Sequence, residues 1–197
     1  MNSTQIKILE VCTKEITELF TLREIARRLN LYPSQVHKAI KPLLNQKIIL
    51  ESPQKFLYLN YRKNHELLSY IESLRTEEIV KKYKELQMFV QEVKEKIKEH
   101  SFVLLLFGSA VNTNKPRDID ILLIVENKEK VEFHEKFLSN IVSKYTLPIE
   151  ERVISFESVY EMLLKREEKN LMNEIINKHI ILSGGELFYL LITRARK

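Results

Sequence analysis

The chain has 197 residues, enough for one domain or two small ones, and its hydrophobic content of 44% is that of an ordinary globular protein. No run approaches the ~18 apolar residues of a membrane span, and the first residues lack a secretory pattern, so we expect a cytoplasmic protein with no membrane partner. The net charge of +5 is concentrated in residues 1–60, where nine Lys and Arg stand against five Glu. This excess favours a polyanionic partner, although a solvated basic face is the alternative.

The first sixty residues have the pattern of three helices followed by a hairpin. Thr21 to Glu24 forms a capping box, which predicts a helix ending at Asn30. Pro33 then indicates a short turn, and Ser34 is expected to cap the next helix. Two helices joined in this way make a helix-turn-helix. Apolar segments at 47–51 and 56–59, around a turn at 52–55, predict two strands.

This order of elements resembles the winged-helix DNA-binding domain of many prokaryotic regulators. The resemblance implies that DNA is a partner and that the second helix of the motif enters the major groove. Gln35 would read base edges, whereas the lysines would meet phosphates. Winged helices also serve as protein-docking modules, so protein binding remains an alternative to DNA binding for this domain. The residues expected to contact DNA are Ser34, Gln35, His37, Lys38 and Lys41 on the helix and Lys55 on the wing.

Residues 62–99 contain neither Gly nor Pro and carry apolar residues at three- and four-residue steps. This pattern predicts one long helix or two joined helices with an apolar stripe. The stripe would either pack on the next domain or form a homodimer through the connector.

Only two of the 27 acidic residues are aspartates, Asp118 and Asp120, and they are two positions apart. The apolar run 101–107 predicts a buried strand that ends at Gly108-Ser109, and residues 118–125 predict a second strand. Alternation along that strand places both aspartates on one face, where like charges repel unless a cation lies between them. The pair therefore predicts a site for Mg²⁺ or Mn²⁺. Gly108 would let the backbone approach a phosphate, with a helix N-terminus directly after it.

A strand, Gly-Ser, a polar loop and Asp-x-Asp on the next strand together resemble the signature of the DNA polymerase β-like nucleotidyltransferase superfamily, particularly its small archaeal and bacterial members. A helix near 170–176 and a strand ending at Gly184 fit the same resemblance. It implies that Asp118 and Asp120 hold the metal and that Gly108 and Ser109 hold the triphosphate of an NTP substrate.

Members of that superfamily also use a third carboxylate on a neighbouring strand. Glu150, within the strand-like stretch 148–155, is the expected residue. Glu151 and the absence of any third acid remain alternatives, because Arg152 aligns with the position where the acid is expected.

The sequence thus predicts an α+β protein: a winged helix at 1–61, a helical connector at 62–99 and a nucleotidyltransferase domain at 100–197, with a mixed sheet flanked by helices. The predicted function is metal-dependent transfer of an NMP from an NTP to an acceptor hydroxyl. One alternative is a DNA-binding regulator whose second domain binds nucleotide without catalysis. Another is an antitoxin-type nucleotidyltransferase that modifies a partner protein.

Overall fold

The chain has an α+β architecture built around one mixed four-stranded sheet, as expected from the sequence. The computed structural model describes residues 1–113 and 116–196. Within those residues, no helix is both long and apolar enough to cross a bilayer.

Three helices and a two-stranded antiparallel hairpin form the N-terminal part. The capping box is confirmed: the Thr21 hydroxyl accepts a hydrogen bond from the Glu24 N–H (3.1 Å), and the Glu24 carboxylate accepts one from the Thr21 N–H (3.0 Å). The elements are α1 (Ser3–Lys14), α2 (Leu22–Leu29), α3 (Pro33–Asn45), β1 (Ile49–Glu51) and β2 (Leu57–Leu59).

The expected cap at Ser34 is wrong. Helix α3 begins two residues earlier than a cap at Ser34 would imply, at Pro33, and Tyr32 is the N-cap. The fixed φ of proline suits the first helical position, where its missing N–H costs nothing. The side-chain carbonyl of Gln35, the third helical residue, accepts a hydrogen bond from the N–H of the N-cap residue Tyr32 at 2.9 Å.

The connector is two helices, α4 (His65–Lys82) and α5 (Lys84–Lys96), separated at Tyr83, whose backbone is extended (φ −120°, ψ 92°). Helix α4 packs against α1, and also on later parts of the chain. The apolar stripe is buried within the chain, through Leu68 and Ile71 on α4 and Leu86 and Phe89 on α5. A homodimer through the connector stays a prediction. The apolar stripe that suggested it is not exposed at these four residues, because they pack within the chain.

The main sheet has the strand order β5, β4, β3, β6. Strand β3 is antiparallel to both β4 and β6, whereas β4 and β5 are parallel and joined through a helix. Asp118 lies one residue before β4. The elements are β3 (Phe102–Phe107), β4 (Ile119–Val125), α6 (Val131–Val142), β5 (Ile149–Ser155), α7 (Phe156–Leu164), α8 (Leu171–Ile175), β6 (His179–Ser183) and α9 (Gly185–Ala195).

Both faces of the sheet are covered by apolar side chains. On one face, Leu105 and Leu122 join a large cluster that continues through α1 to α4 and α7 to α9. On the other face, Leu104 and Ile121 pack with α5 and α6. This double burial explains the continuous apolar run of β3. The expected boundaries at 61/62 and 99/100 fall between elements and stay a prediction.

A buried ionic network that the sequence pattern does not reveal joins α4 to β6 and α9. Glu72 and Arg75 are only 1% and 8% exposed. Arg75 Nη1 donates to both Glu72 oxygens at 2.8 Å, and Arg75 Nη2 donates to the carbonyl of His179. The hydroxyl of Tyr189 donates to Glu72 at 3.1 Å. Burial raises the pKa of the Glu72 carboxyl, and the Arg75 charge opposes that shift.

Removing one partner of this network should destabilise the fold strongly. Arg75→Met is expected to lower the free energy of unfolding by about 3–5 kcal/mol, because Glu72 is left buried without its cation. Lys81→Met is the matched control, since its pair with Glu77 (3.5 Å) is exposed and should contribute less than about 1 kcal/mol. Urea denaturation measures both, and equal losses would contradict a structural role for the buried pair.

Candidate functional site

Strand pairing brings four polar or aromatic side chains into one transverse row at the end of the sheet. Asp120 is opposite Phe107 on one side and Glu150 on the other, and Phe107 is opposite His179. Residues directly opposite in a sheet share a face. The row therefore runs Glu150, Asp120, Phe107, His179, on the face that carries Leu122 in the next row.

Gly108 leaves the space that the Asp120 carboxylate occupies. The φ of Gly108 is +71°, a region that favours glycine. A Cβ built on Gly108 would lie 1.9 Å from Asp120 Oδ2 and 2.8 Å from its Cγ. No side chain larger than hydrogen fits at position 108 while Asp120 keeps this position. The glycine of the Gly-Ser step is thus in direct contact with the second aspartate.

The segment after the Phe107 end of β3 forms the short helix that was expected. It is a 3₁₀ helix of four residues, Gly108–Val111. The Ser109 carbonyl accepts hydrogen bonds from the N–H groups of Asn112 (3.1 Å) and Thr113 (3.2 Å), which close the turn. The dipole of a full helix is therefore not present to attract phosphate, and the exposed Ser109 lies on a tight turn instead. The loop expected at 112–117 includes Asn114 and Lys115, which lie outside the described residues.

Asp120 is in an electrostatic environment that disfavours its charge. Its pKa is raised, first by burial and then by the neighbouring charges of Asp118 and Glu150. The charges of Arg152 and Lys178 act in the opposite direction. Three carboxylates and two cations thus influence one another at this end of the sheet.

The register of β4 and β5 distinguishes the three residues considered for the third acid. Glu150 is opposite Asp120, whereas Glu151 is opposite Ile121 and lies on the other face of the sheet. Arg152 is opposite Leu122, one row further along the face of Glu150. Of the two glutamates, Glu150 is the one beside the aspartate pair (Asp118 and Asp120). Its role as the third carboxylate stays a prediction.

Lys178 is a residue that the sequence reading missed. It is exposed, directly precedes β6, and comes close enough to lower the pKa of Asp120. Its position depends on β6 pairing beside β3, which is a long-range contact. A single lysine between two isoleucine-rich segments gave no local signal.

A divalent ion would have to be held by few protein ligands. Among residues 1–113 and 116–196, no group of three or more His, Cys, Asp or Glu side chains could hold a metal ion. Mg²⁺ usually takes only one or two carboxylates and completes its shell with water and phosphate oxygens. The aspartate pair matches that donor chemistry, and the missing side chain of Gly108 leaves room for one of the two carboxylates.

The residues expected to contact DNA share an exposed surface on α3 and the hairpin. Ser34, His37, Lys38 and Lys41 are exposed on α3. Gln35 is exposed too, but its side-chain oxygen is engaged in the cap of α3. Lys55, in the hairpin turn, forms an exposed ion pair with Glu51 at 3.1 Å. These contacts are weak enough in water to be exchanged for contacts with a ligand.

No family model matches the chain, and no curated protein matches it either. A solved crystal structure of an IclR homolog from Microbacterium sp. strain HM58-2 is similar to part of the chain, with 17% sequence identity and a TM-score of 0.30. The similarity covers 55% of this chain, which spans less than half (43%) of that protein. A TM-score this low establishes neither a fold nor a function.

The crowding of acids around Asp120 makes a prediction about stability. Without divalent ions at neutral pH, Asp120→Asn should raise the melting temperature, because the raised pKa means that the charged carboxylate destabilises the folded state. The gain should vanish as the pH falls below the ordinary pKa of aspartate, about 3.9, where the wild-type residue is neutral in both states. Differential scanning calorimetry from about pH 3 to pH 7 measures both effects.

Mg²⁺ should reverse this order. At a tenfold excess over its Kd, Mg²⁺ should stabilise the wild type by roughly 1.4 kcal/mol and leave Asp120→Asn unchanged. Glu151→Gln, on the opposite face of the sheet, is the control and should respond to Mg²⁺ like the wild type. An equal response of Asp120→Asn and wild type would exclude a metal at the aspartate pair.

Proposed function

We propose that the C-terminal part of the chain is a nucleotidyltransferase that moves an NMP from an NTP to an acceptor hydroxyl. The observation that carries the proposal is the contact between Gly108 and the Asp120 carboxylate, with Glu150 opposite Asp120 in the next strand. A phosphate-binding turn, two short acids and a further acid are thereby close together at one end of the sheet. The mixed sheet with helices on both faces is compatible with the nucleotidyltransferase fold.

Each residue has a defined part in this proposal. Asp118 and Asp120 hold a divalent ion, Mg²⁺ or Mn²⁺, which when bound offsets phosphate charge and helps to orient the transferred group. Gly108 and Ser109 present backbone to the triphosphate. Glu150 accepts the proton of the acceptor hydroxyl. The hydroxyl oxygen forms a bond to the α-phosphorus while the bond to the bridging oxygen breaks, and pyrophosphate leaves.

Two further residues support an anionic substrate at this site. The cations of Arg152 and Lys178 lie near enough to affect Asp120. They would offset the charge of a triphosphate that approaches the two aspartates. Arg152 also counts against catalysis, because it aligns with the position where the resemblance to nucleotidyltransferases implies a third acid.

We further propose that the N-terminal part is a winged helix that binds DNA. The exposed face of α3 carries two lysines, Lys38 and Lys41, and the hairpin carries Lys55. DNA and NTP as ligands imply a cytoplasmic location.

The alternative function is a DNA-binding regulator whose second domain binds nucleotide without turnover. It is favoured by the lack of a three-acid metal group in the described part of the chain, together with the position of Arg152. Modification of a partner protein by an antitoxin-type enzyme is a narrower form of the first proposal, with a protein side chain as acceptor.

A transfer assay distinguishes catalysis from binding. The protein, Mg²⁺ and labelled NTPs are incubated with RNA, DNA and protein as acceptors, and pyrophosphate release and label transfer are followed. Asp120→Asn should abolish transfer, and Glu150→Gln should reduce it at least about 100-fold through loss of the proton acceptor. Glu151→Gln should retain activity within about twofold. Nucleotide binding without pyrophosphate release in the wild type would support the regulator instead.

A mobility-shift assay across salt concentrations tests the DNA-binding proposal. Lys38→Ala combined with Lys41→Ala should weaken binding to duplex DNA and reduce the slope of log K against log salt by about 2. Lys94→Ala combined with Lys98→Ala removes the same charge from exposed positions elsewhere and should have little effect. Equal effects of the two double variants would show that α3 has no special part in binding.

A further inference from the structure

A polar cleft of about 310 Å³ opens between α1, the C-terminal half of α4 and the turn that follows β3. Its charged lining comes from Lys14 on α1 and from Arg75, Glu78 and Lys82 on α4. Its size is within the range of small-molecule sites. None of the residues assigned to transfer lines it.

The cleft lies at the β6 edge of the sheet, and neither member of the aspartate pair lines it. Its apolar lining includes Ile79, Ala110 and Ile180, which belong to the cluster on the α5 and α6 face. Asp120 is on the opposite face, in line with Leu122. The short turn Gly108–Val111 lies between the two, with Gly108 against Asp120 and Ala110 in the cleft.

The charge of the cleft is unbalanced in favour of cations. Three basic side chains and one carboxylate line it, and Arg75 is already paired with the buried Glu72. Lys14 has no hydrogen bond or ion pair within the part of the chain that the structure describes. Burial lowers the pKa of the Lys14 ammonium and the charges of Arg75 and Arg28 lower it further, whereas Glu15 and Glu78 act in the opposite direction. A bound anion would stabilise a half-buried cation whose charged form is disfavoured in this way.

We propose that this cleft binds a phosphate group of a small ligand, with Lys14 as its principal charged contact and Lys82 as a second one. Asn112 and Thr113 line the same space and add polar groups from the loop after the turn. The site is additional to the proposed nucleotidyltransferase centre, and its occupancy does not depend on a metal ion.

The position of the cleft gives the bound phosphate a further role. It would connect α1, in the N-terminal part, with the turn whose first residue determines the space for Asp120.

Calorimetric titration with inorganic pyrophosphate, in EDTA and at low salt, tests the site. The wild type should bind, and Lys14→Ala should bind about tenfold more weakly through loss of a charged contact. Lys7→Ala on α1 and Lys81→Ala on α4 are matched controls outside the cleft and should stay within about twofold of the wild type. Circular dichroism and melting temperature verify that each variant is folded.

Asp120→Asn and ATP provide the remaining arms of the same experiment. Asp120→Asn should bind pyrophosphate like the wild type, which separates this cleft from the transfer site. Competition by ATP in EDTA would identify a nucleotide as the phosphate source, and its absence would identify a smaller phosphorylated ligand. The proposal is overturned if the wild type does not bind at millimolar pyrophosphate, if Lys14→Ala behaves like the controls, or if Asp120→Asn removes binding.

Discussion

The carboxylate of Asp120 occupies the volume that any side chain at position 108 would need. This contact joins the end of β3 to β4 and depends on glycine for two reasons. The φ of Gly108 is positive, and a Cβ added at Gly108 would lie only 1.9 Å from Asp120 Oδ2. Everything proposed for the site follows from this contact. It brings the turn at Gly108-Ser109 against an acid, and the register of the sheet then places Glu150 on the other side of that acid.

The second constraint is electrostatic. Burial raises the pKa of Asp120, the charges of Asp118 and Glu150 raise it further, and two cations reduce that shift without removing it. Such an arrangement costs stability in the absence of a ligand and is common at functional sites. The Glu72–Arg75 pair at the edge of the same sheet is different, since its charges neutralise one another and connect α4 to the backbone of β6. We propose that the first group of charges serves binding, whereas the second connects elements of the fold.

Local patterns in the sequence predicted much of the fold. The capping box at Thr21, the buried strand ending at Gly108 and the hairpin after α3 follow from short-range chemistry. The cap of α3 was misplaced because the preference of proline for the first helical position outweighed the capping ability of Ser34. The short helix expected after Ser109 is a 3₁₀ helix of four residues that begins at Gly108. The position of Glu150 opposite Asp120, the approach of Lys178 and the burial of Glu72 and Arg75 all depend on pairing between distant segments, which periodicity does not encode.

A crystal grown with Mn²⁺ and a non-hydrolysable NTP analogue, with anomalous diffraction recorded for manganese, is the most direct measurement of the central claim. The account predicts an anomalous peak within about 2.5 Å of carboxylate oxygens of both Asp118 and Asp120, with the triphosphate along Gly108 and Ser109 and with Glu150 facing the α-phosphate. A peak at another place, or a nucleotide bound away from Gly108 with no manganese at the aspartates, would contradict it.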